Sequence, residues 1–414
     1  WCSLKPNEDR PCMIAHLWID AHGRPHRHKF ARAMMRSAAR LTYEQVQAAH
    51  EDRADEPTRD LKDTVIAPLY GAYRALAEAR HQRGVLELDL PEHQIVFDDK
   101  GNVAGVRLRA RYDSHKLIEE FMIAANVAAA ETLEAQKLPC MYRIHDEPAP
   151  DKVEALRELL DGIGIKLAKG QVLKPAHFNR ILERAADTEF AHMVNEVVLR
   201  TQSQAEYNPK NIGHFGLALT KYCHFTSPIR RYADLLVHRA LIRGGRFGDD
   251  GLEKDHRDFA DMGEHISMTE RRAAAAERDA VDRFSAAFLA EKVGAQFRAR
   301  ISGVTRFGLF VTLEDSQADA LVPISTLPED YYFHDEAHHR LRGRHTGQIY
   351  RLGDTVEVIL VEADPYSGSL LCHILDSGAP RAKKGKSPQG TRGKVSGRQR
   401  RVNPKSRKKG RSKR

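Results

Sequence analysis

The 414-residue chain has little cysteine and no long hydrophobic run. Its five cysteines, Cys2, Cys12, Cys140, Cys223 and Cys372, are scattered without CxxC or CxxH spacing. That scatter excludes a disulfide framework and a cysteine-based zinc site, and it fits a reducing compartment. No apolar stretch approaches the roughly 20 residues that a bilayer-spanning helix requires, and no signal-peptide pattern opens the chain. The cytoplasm is therefore the expected location, with no membrane partner. Acid is absent at one end only. Residues 381–414 hold sixteen Lys or Arg and no Asp or Glu. Subtracting those charges from the formal net charge of +9 leaves −7 for the body, so the surplus belongs to the tail. Such a tail, residues 377–414, buries no core and is expected to be disordered. Its partner should be polyanionic, RNA or ribosomes, bound with a steep salt dependence.

The length suits two or three domains. The chain opens on Trp1 rather than Met, which leads to the expectation that residues are missing upstream. Alternation predicts strands at 13–19 and around 28–30, joined by a turn at 20–23. Thr42 and Gln45 form a capping-box pattern for a helix starting at Tyr43. Leu61, Val65, Leu69, Tyr73 and Leu76 mark one face of a longer helix, bent near Pro68 and stopped at Gly84. Strands are expected at 86–90, 95–97 and 106–112. The last puts Arg107, Arg109 and Arg111 on one face, either solvated or turned to RNA. Ser114 caps a helix whose buried stripe is Ile118, Phe121, Met122, Ala125 and Ala129, with Glu119 and Glu120 beside it. Helical patterns at 151–163, 175–186 and 188–201 follow. After a glycine-rich loop at 244–251 comes a long helix, 256–291, with Phe259, Ile266, Val281, Phe284 and Phe288 inward.

Residues 213–241, GHFGLALTKYCHFTSPIRRYADLLVHRAL, stand apart from these patterns. Residues 215–220 read as a short buried strand. Thr226 and Ser227 offer N-cap oxygens, Pro228 suits the first helical position, and Tyr232, Leu235, Leu236 and Ala240 form a core-facing stripe. Arg230 and Arg231 then occupy the first turn, where the macrodipole disfavours cations. Two readings stay open. The guanidinium forks and free helix-start N–H groups make a phosphate receptor, or Arg230 simply pairs with Asp234.

GHFGLAL followed by HFTSPIRRYADLLVHRAL closely resembles the signature of the ribonuclease II/ribonuclease R family of 3′-to-5′ exoribonucleases. The likeness runs from CSLKPNEDRPCM to the basic tail. It implies an α+β architecture: residues 1–292 as the back half of a ribonuclease II-type catalytic domain, with a mixed sheet and many helices. The activity it implies is processive hydrolysis of single-stranded RNA to nucleoside 5′-monophosphates, by a monomer using Mg2+. In this family a GxDxxxxxDxDD-like cluster supplies the metal ligands, and nothing here has its spacing. The chain alone is therefore expected to lack those ligands and to be inactive, its metal coming with a complete protein. A non-catalytic RNA-binding or ribosome-associated protein derived from this family is the alternative.

Position by position, the resemblance makes Arg230 the grip on the phosphate near the scissile bond. It puts Glu119 on the 3′-terminal nucleotide and Tyr43 on the wall that sets the terminal product. Arg231 joins the RNA contacts, Phe97 stacks the last bases, and Glu277 lies near the RNA path. Each also has a plainer reading: Phe97 as strand core, Tyr43 as a packing residue, Glu119 as half of a surface pair.

From Val293 the pattern changes to short alternating strands with Gly turns, as in a small closed barrel. Residues 293–376 resemble the OB-fold RNA-binding barrel repeated in the largest protein of the small ribosomal subunit. Alternation places Phe307 and Phe310 on opposite faces, so Phe307 is the expected base-stacking residue. Tyr331, Tyr332 and His334, in the polar insertion, are further RNA-binding candidates. Removing residues 381–414 should flatten the salt dependence of RNA binding and leave the fold unchanged; titrations across a salt series check this, and an unaltered slope assigns the tail another partner.

Overall fold

Alternating residues near the N-terminus pair as expected: β1 (Asp9–Ile19) and β2 (Pro25–Arg36) form an antiparallel hairpin. The computed structural model describes residues 3–88, 93–101, 103–252, 258–336 and 338–375. The predicted tail and the end of the 86–90 strand lie outside them. Residues 85–88 are not strand; Leu86 and Leu88 instead pack on a helical core.

Next come α1 (Tyr43–His50) and a one-turn α2 (Glu56–Arg59). The capping box at Thr42 and Gln45 forms as read. A π-helical turn, Lys62–Ile66, leads into α3 (Ala67–Arg83), which Gly84 ends in the left-handed conformation. The π turn spends one extra residue and so rotates the buried face. Ile66 and Tyr70 are buried in place of Val65 and Leu69, a correction to the predicted stripe.

β3 (His93–Phe97) and β4 (Val103–Leu108) make a second hairpin; β3 is longer than predicted, and β4 starts earlier and ends before Arg109 and Arg111. The 23-residue α4 (Asp113–Ala135) runs through the centre of the domain. It buries Leu117, Ala124, Ala125, Ala128, Ala129 and Leu133, and leaves Ile118 exposed. β5 (Tyr142–Ile144) is followed by α5 (Pro150–Gly162), α6 (Pro175–Ala185) and α7 (Ala191–Thr201), and then by β6 (Glu206–Asn208), which pairs with β5. In α8 (Tyr232–Gly245) the inward residues are Ala233, Leu236, Val237, Ala240 and Leu241. Tyr232 and Leu235 point outward, against expectation. Small residues on α4 and α8 let these helices share one core with Met141, Phe225 and Phe259.

α9 (Phe259–Ala290) buries side chains only near its two ends among the described residues. Gly263 sits so close to β6 that a Cβ there would lie 2.6 Å from the Tyr207 carbonyl oxygen. From 271 to 284 every residue is exposed, including Val281 and Phe284, which were expected inward. Ala286 and Leu289, at the far end, enter the next domain's core.

That domain is a closed barrel of β7 (Gln296–Thr305), β8 (Gly308–Leu313), β9 (Asp319–Pro323), β13 (Thr355–Asp364) and β14 (Ser369–Ile374). A separate antiparallel sheet of β10 (Tyr332–Asp335), β11 (Arg340–Gly343) and β12 (Ile349–Arg351) is inserted between β9 and β13. Leu352, just after it, packs into the α5–α7 core. The architecture is α+β, helical body followed by barrel.

Candidate active site

The turn before α8 differs from the predicted cap. Residues 228–230 form a turn in which the Arg230 and Arg231 N–H groups donate to the Ser227 carbonyl, at 3.3 and 3.0 Å. The helix itself starts four residues later than expected, at Tyr232. The Ser227 N–H donates to the Asp234 carboxylate at 2.7 Å, so the backbone, not the serine hydroxyl, meets the helix. The Thr226 hydroxyl oxygen is buried with no hydrogen-bond partner among the described residues.

Asp234 is fully buried and binds the second arginine of the doublet. Arg231 Nε and Nη2 each donate to it at 2.8 Å. Two of the donors expected to face RNA are thus committed within the protein. Arg230 is exposed and, among the described residues, has no ion pair; the predicted alternative, an Arg230–Asp234 pair, does not form.

A third guanidinium joins these two. Arg143, on β5, makes a two-bond pair with Glu270 at 2.6 and 3.1 Å and lies 4.6 Å from the Tyr207 ring centre. Sequence reading missed it, because a three-residue strand inside a turn-rich segment carries no period. His224 sits among all three arginines. Burial first, then the fields of Arg231, Arg143, His214 and Arg230, hold its pKa far below the ordinary value. Its Nδ1 lies 2.9 Å from the Tyr207 hydroxyl. His214 is likewise neutral, pushed to about 3, chiefly by burial and then by His145. His145 accepts from the Gly216 N–H at Nδ1 (2.8 Å), which leaves Nε2 to donate to the Ser203 carbonyl (2.7 Å). These contacts turn residues 215–218 into a tight turn between His214 and Leu219, where a strand was expected. The surroundings are cationic arginines over uncharged imidazoles.

Tyr43, on α1, packs against the first turn of α4, the helix that carries Glu119. The Tyr43 ring stacks on His115 at 4.0 Å, and Glu119 follows one turn later. Glu119 accepts from Arg111 at 2.8 Å, so its plainer reading as a surface pair is realised. Its neighbour Glu120 is buried and pairs with Arg80 at 3.0 Å; burial, the largest influence, raises its pKa. Two turns beyond Glu119, Asn126 accepts the Phe225 N–H at 2.9 Å and ties α4 to the arginine turn.

Phe97 is not strand core: it is half-exposed, edge-on to Phe284 of α9 at 5.3 Å. Glu270, Glu277 and Phe284 recur every seven residues along one side of α9, over about 21 Å. Arg143 therefore marks one end of this track and Phe97 the other, with Glu277 between. Cavities of about 910 and 370 Å³ lie elsewhere, lined among others by Arg243 and His28, whereas one of about 510 Å³ is lined by His145 and His214 together with Arg83. None is lined by Arg230, Glu119 or Tyr43.

On the barrel, Phe307 is 58 % and Phe310 38 % exposed, and their rings touch edge to face at 5.9 Å. Phe307 lies in the turn before β8, outside the alternation, so the two phenylalanines share one side rather than opposing each other. Tyr332 corrects a prediction. It is buried against Tyr350 and donates its hydroxyl to the Pro328 carbonyl at 3.0 Å, so it cannot stack on RNA. His334 is partly buried on the same strand.

Comparison with known proteins decides the family. The RNB domain matches residues 1–244 and the S1 RNA binding domain residues 291–370. The chain belongs to the RNB-domain family of ribonuclease R homologues. It is 38 % identical to ribonuclease R of Escherichia coli strain K12 over 421 residues, covering 98 % of this chain and 52 % of that protein. With Aquifex aeolicus ribonuclease R it shares 38 % over 367 residues, 88 % of this chain and 52 % of the relative. Mycoplasma genitalium RNase R in complex with ribose methylated single-stranded RNA superposes with a TM-score of 0.84 at 26 % identity, covering 90 % of this chain and 59 % of that one. The chain spans about half the length of the curated relatives it matches. For an RNB-family chain a divalent metal is implied, but no three His, Cys, Asp or Glu among the described residues are placed to hold one. The described residues do not fit it.

The neutral histidines give this RNB-family body a pH dependence. Depressed pKa values mean that the unfolded chain takes up protons which the folded chain refuses, so stability holds above about pH 6.5 and falls below it. The slope is up to ~1.4 kcal/mol per pH unit for each group. Glu120, raised by burial, acts in the opposite direction. Urea unfolding at pH 7.5, 6.0 and 5.0 should therefore show a smaller loss on acidification in His214→Gln than in the parent. Identical pH slopes would contradict a neutral His214.

Proposed function

We propose that this chain is the RNA-gripping part of a 3′-to-5′ exoribonuclease that degrades single-stranded RNA processively to nucleoside 5′-monophosphates. The observation that carries the reading is Arg230, an exposed guanidinium without an ion pair among the described residues, set beside Arg231 and Arg143 over an uncharged histidine. It suits a phosphate whose charge grows as the ester is cleaved. The comparison with a relative solved on single-stranded RNA supports the same substrate.

In this reading Arg230 holds the phosphate at the scissile bond, with Arg231 and Arg143 adding positive field behind it. Glu119 accepts from the ribose of the 3′-terminal nucleotide, and the Tyr43 ring, backed by His115, limits its position. Phe97 and Glu277 follow the strand along α9. Phe307, with Phe310 beside it, stacks a base further out, and His334 contributes at the edge. Stacking is worth about 1–3 kcal/mol per base. The metal is Mg2+, held by residues other than those described, and the basic tail adds RNA or ribosome contacts. We place the protein in the cytoplasm as a monomer, with residues 1–292, 293–376 and 377–414 as its three parts.

A second reading, a non-catalytic RNA-binding protein of the same family, is favoured by the poor fit of the described residues to a metal. One experiment separates the two, using a complete protein, its Arg230→Ala variant and the 414-residue chain. The expected results are a turnover loss of about 100-fold or more in Arg230→Ala with RNA affinity changed far less, and RNA binding without mononucleotide release by the 414-residue chain. Equal losses in turnover and affinity would make Arg230 a plain binding residue. No hydrolysis by the complete protein would favour the second reading.

A further inference from the structure

The inserted sheet between β9 and β13 carries a feature that the exoribonuclease reading does not use. Alternation along β10, β11 and β12 turns Tyr332, Leu341 and Tyr350 into the core. It leaves Tyr331, 62 % exposed, and Phe333, 49 % exposed, on the outer side with their rings in edge contact at 5.0 Å. Directly across from Phe333 in the ladder stands Arg342. Opposite Tyr331 stands Arg344, whose N–H donates to the Tyr331 carbonyl at 2.8 Å.

Both arginines are exposed, and neither has an ion pair or side-chain hydrogen bond among the described residues. Their neighbour Arg340 is handled differently: Asp335 neutralises it at 2.7 and 2.8 Å. Two like charges two residues apart on one strand face repel each other, and leaving both unpaired beside two bare rings stabilises nothing within the chain. The loop that presents them is nonetheless fixed. The Asp330 carboxylate accepts from the N–H groups of Tyr331, His345 and Thr346 and from the Thr346 hydroxyl, at 2.5 to 3.1 Å. A held pair of π faces next to paired cations suits a ligand with flat rings and an anionic backbone. A duplex hides its ring faces and a single strand offers them.

We propose that the outer face of this sheet is a second platform for single-stranded RNA, separate from Phe307 and Phe310, with Tyr331 and Phe333 stacking a base and Arg342 and Arg344 holding the adjacent phosphates. The proposal rests on the reading that this chain grips RNA. The test is fluorescence anisotropy of the 414-residue chain with a labelled oligoadenylate of about 12 nucleotides.

The double variant Tyr331→Ala/Phe333→Ala should bind about tenfold more weakly, and Tyr331→Phe/Phe333→Tyr like the parent. Arg342→Gln/Arg344→Gln should reduce the log–log salt slope by about 1.4, two single-strand phosphate contacts. Photocrosslinking of 4-thiouridine RNA to the unaltered chain should map to residues 331–344, which keeps the test decisive if the alanine variant is poorly folded. Unchanged affinity and slope, or no crosslink there, while Phe307→Ala weakens binding, overturns the platform and leaves the RNA reading intact. No binding by the unaltered chain overturns both. Effects confined to duplex RNA overturn the single-strand assignment.

Discussion

Asp234 holds the N-terminal end of α8 together from a position with no solvent contact at all. Burying a carboxylate costs several kcal/mol unless its oxygens are met by a cation and by further donors. Here three donors meet it: two from Arg231 and the backbone N–H of Ser227, all at 2.7 to 2.8 Å. The same three bonds set the backbone between residues 227 and 234, so Arg230 has no acid left to pair with and is directed outward. One arginine of the doublet is bound inward so that the other can remain available.

The scaffold around this pair keeps positive charge uncompensated by removing it elsewhere. His145 is buried and His214 and His224 are half-buried, all held neutral, so they add no cations behind the arginines. Arg143 is fixed by Glu270 on α9, and the next fourteen residues of α9 are exposed before its last turns enter the barrel core. A helix that buries side chains only near its ends, and meets Phe97 through Phe284, joins the arginine cluster to the S1 domain. The alanines of α4 permit its close packing on α8, and Asn126 carries the hydrogen bond that links the Glu119 face to the turn.

Much of this architecture was legible in the sequence. The β1–β2 hairpin, the Thr42 capping box, the Gly84 stop and the barrel strands follow from local signals that a few residues carry. What escaped was the division of labour within doublets. Arg230 and Arg231, Glu119 and Glu120, and Tyr331 and Tyr332 each contain one inward and one outward residue, and a shift of one position exchanges them. Period alone assigns such pairs only when register is known. At Ile66 a π turn moved the register, at Phe307 a tight turn interrupted alternation, and at Tyr232 a delayed helix start rotated the stripe. Arg143 and Phe333 went unnoticed because each needs a cross-strand or cross-helix partner to acquire meaning.

The central claim is that Asp234 acts through the geometry it imposes on Arg230. A double-mutant cycle on RNA hydrolysis by a complete protein tests it most directly, combining Asp234→Asn with Arg230→Ala at a temperature where both single variants are folded. If the account is right, Asp234→Asn slows turnover in the parent but changes the Arg230→Ala protein by no more than about twofold, because the group it positions is already gone. Losses that multiply fully would show that Asp234 and Arg230 act independently, and would contradict it.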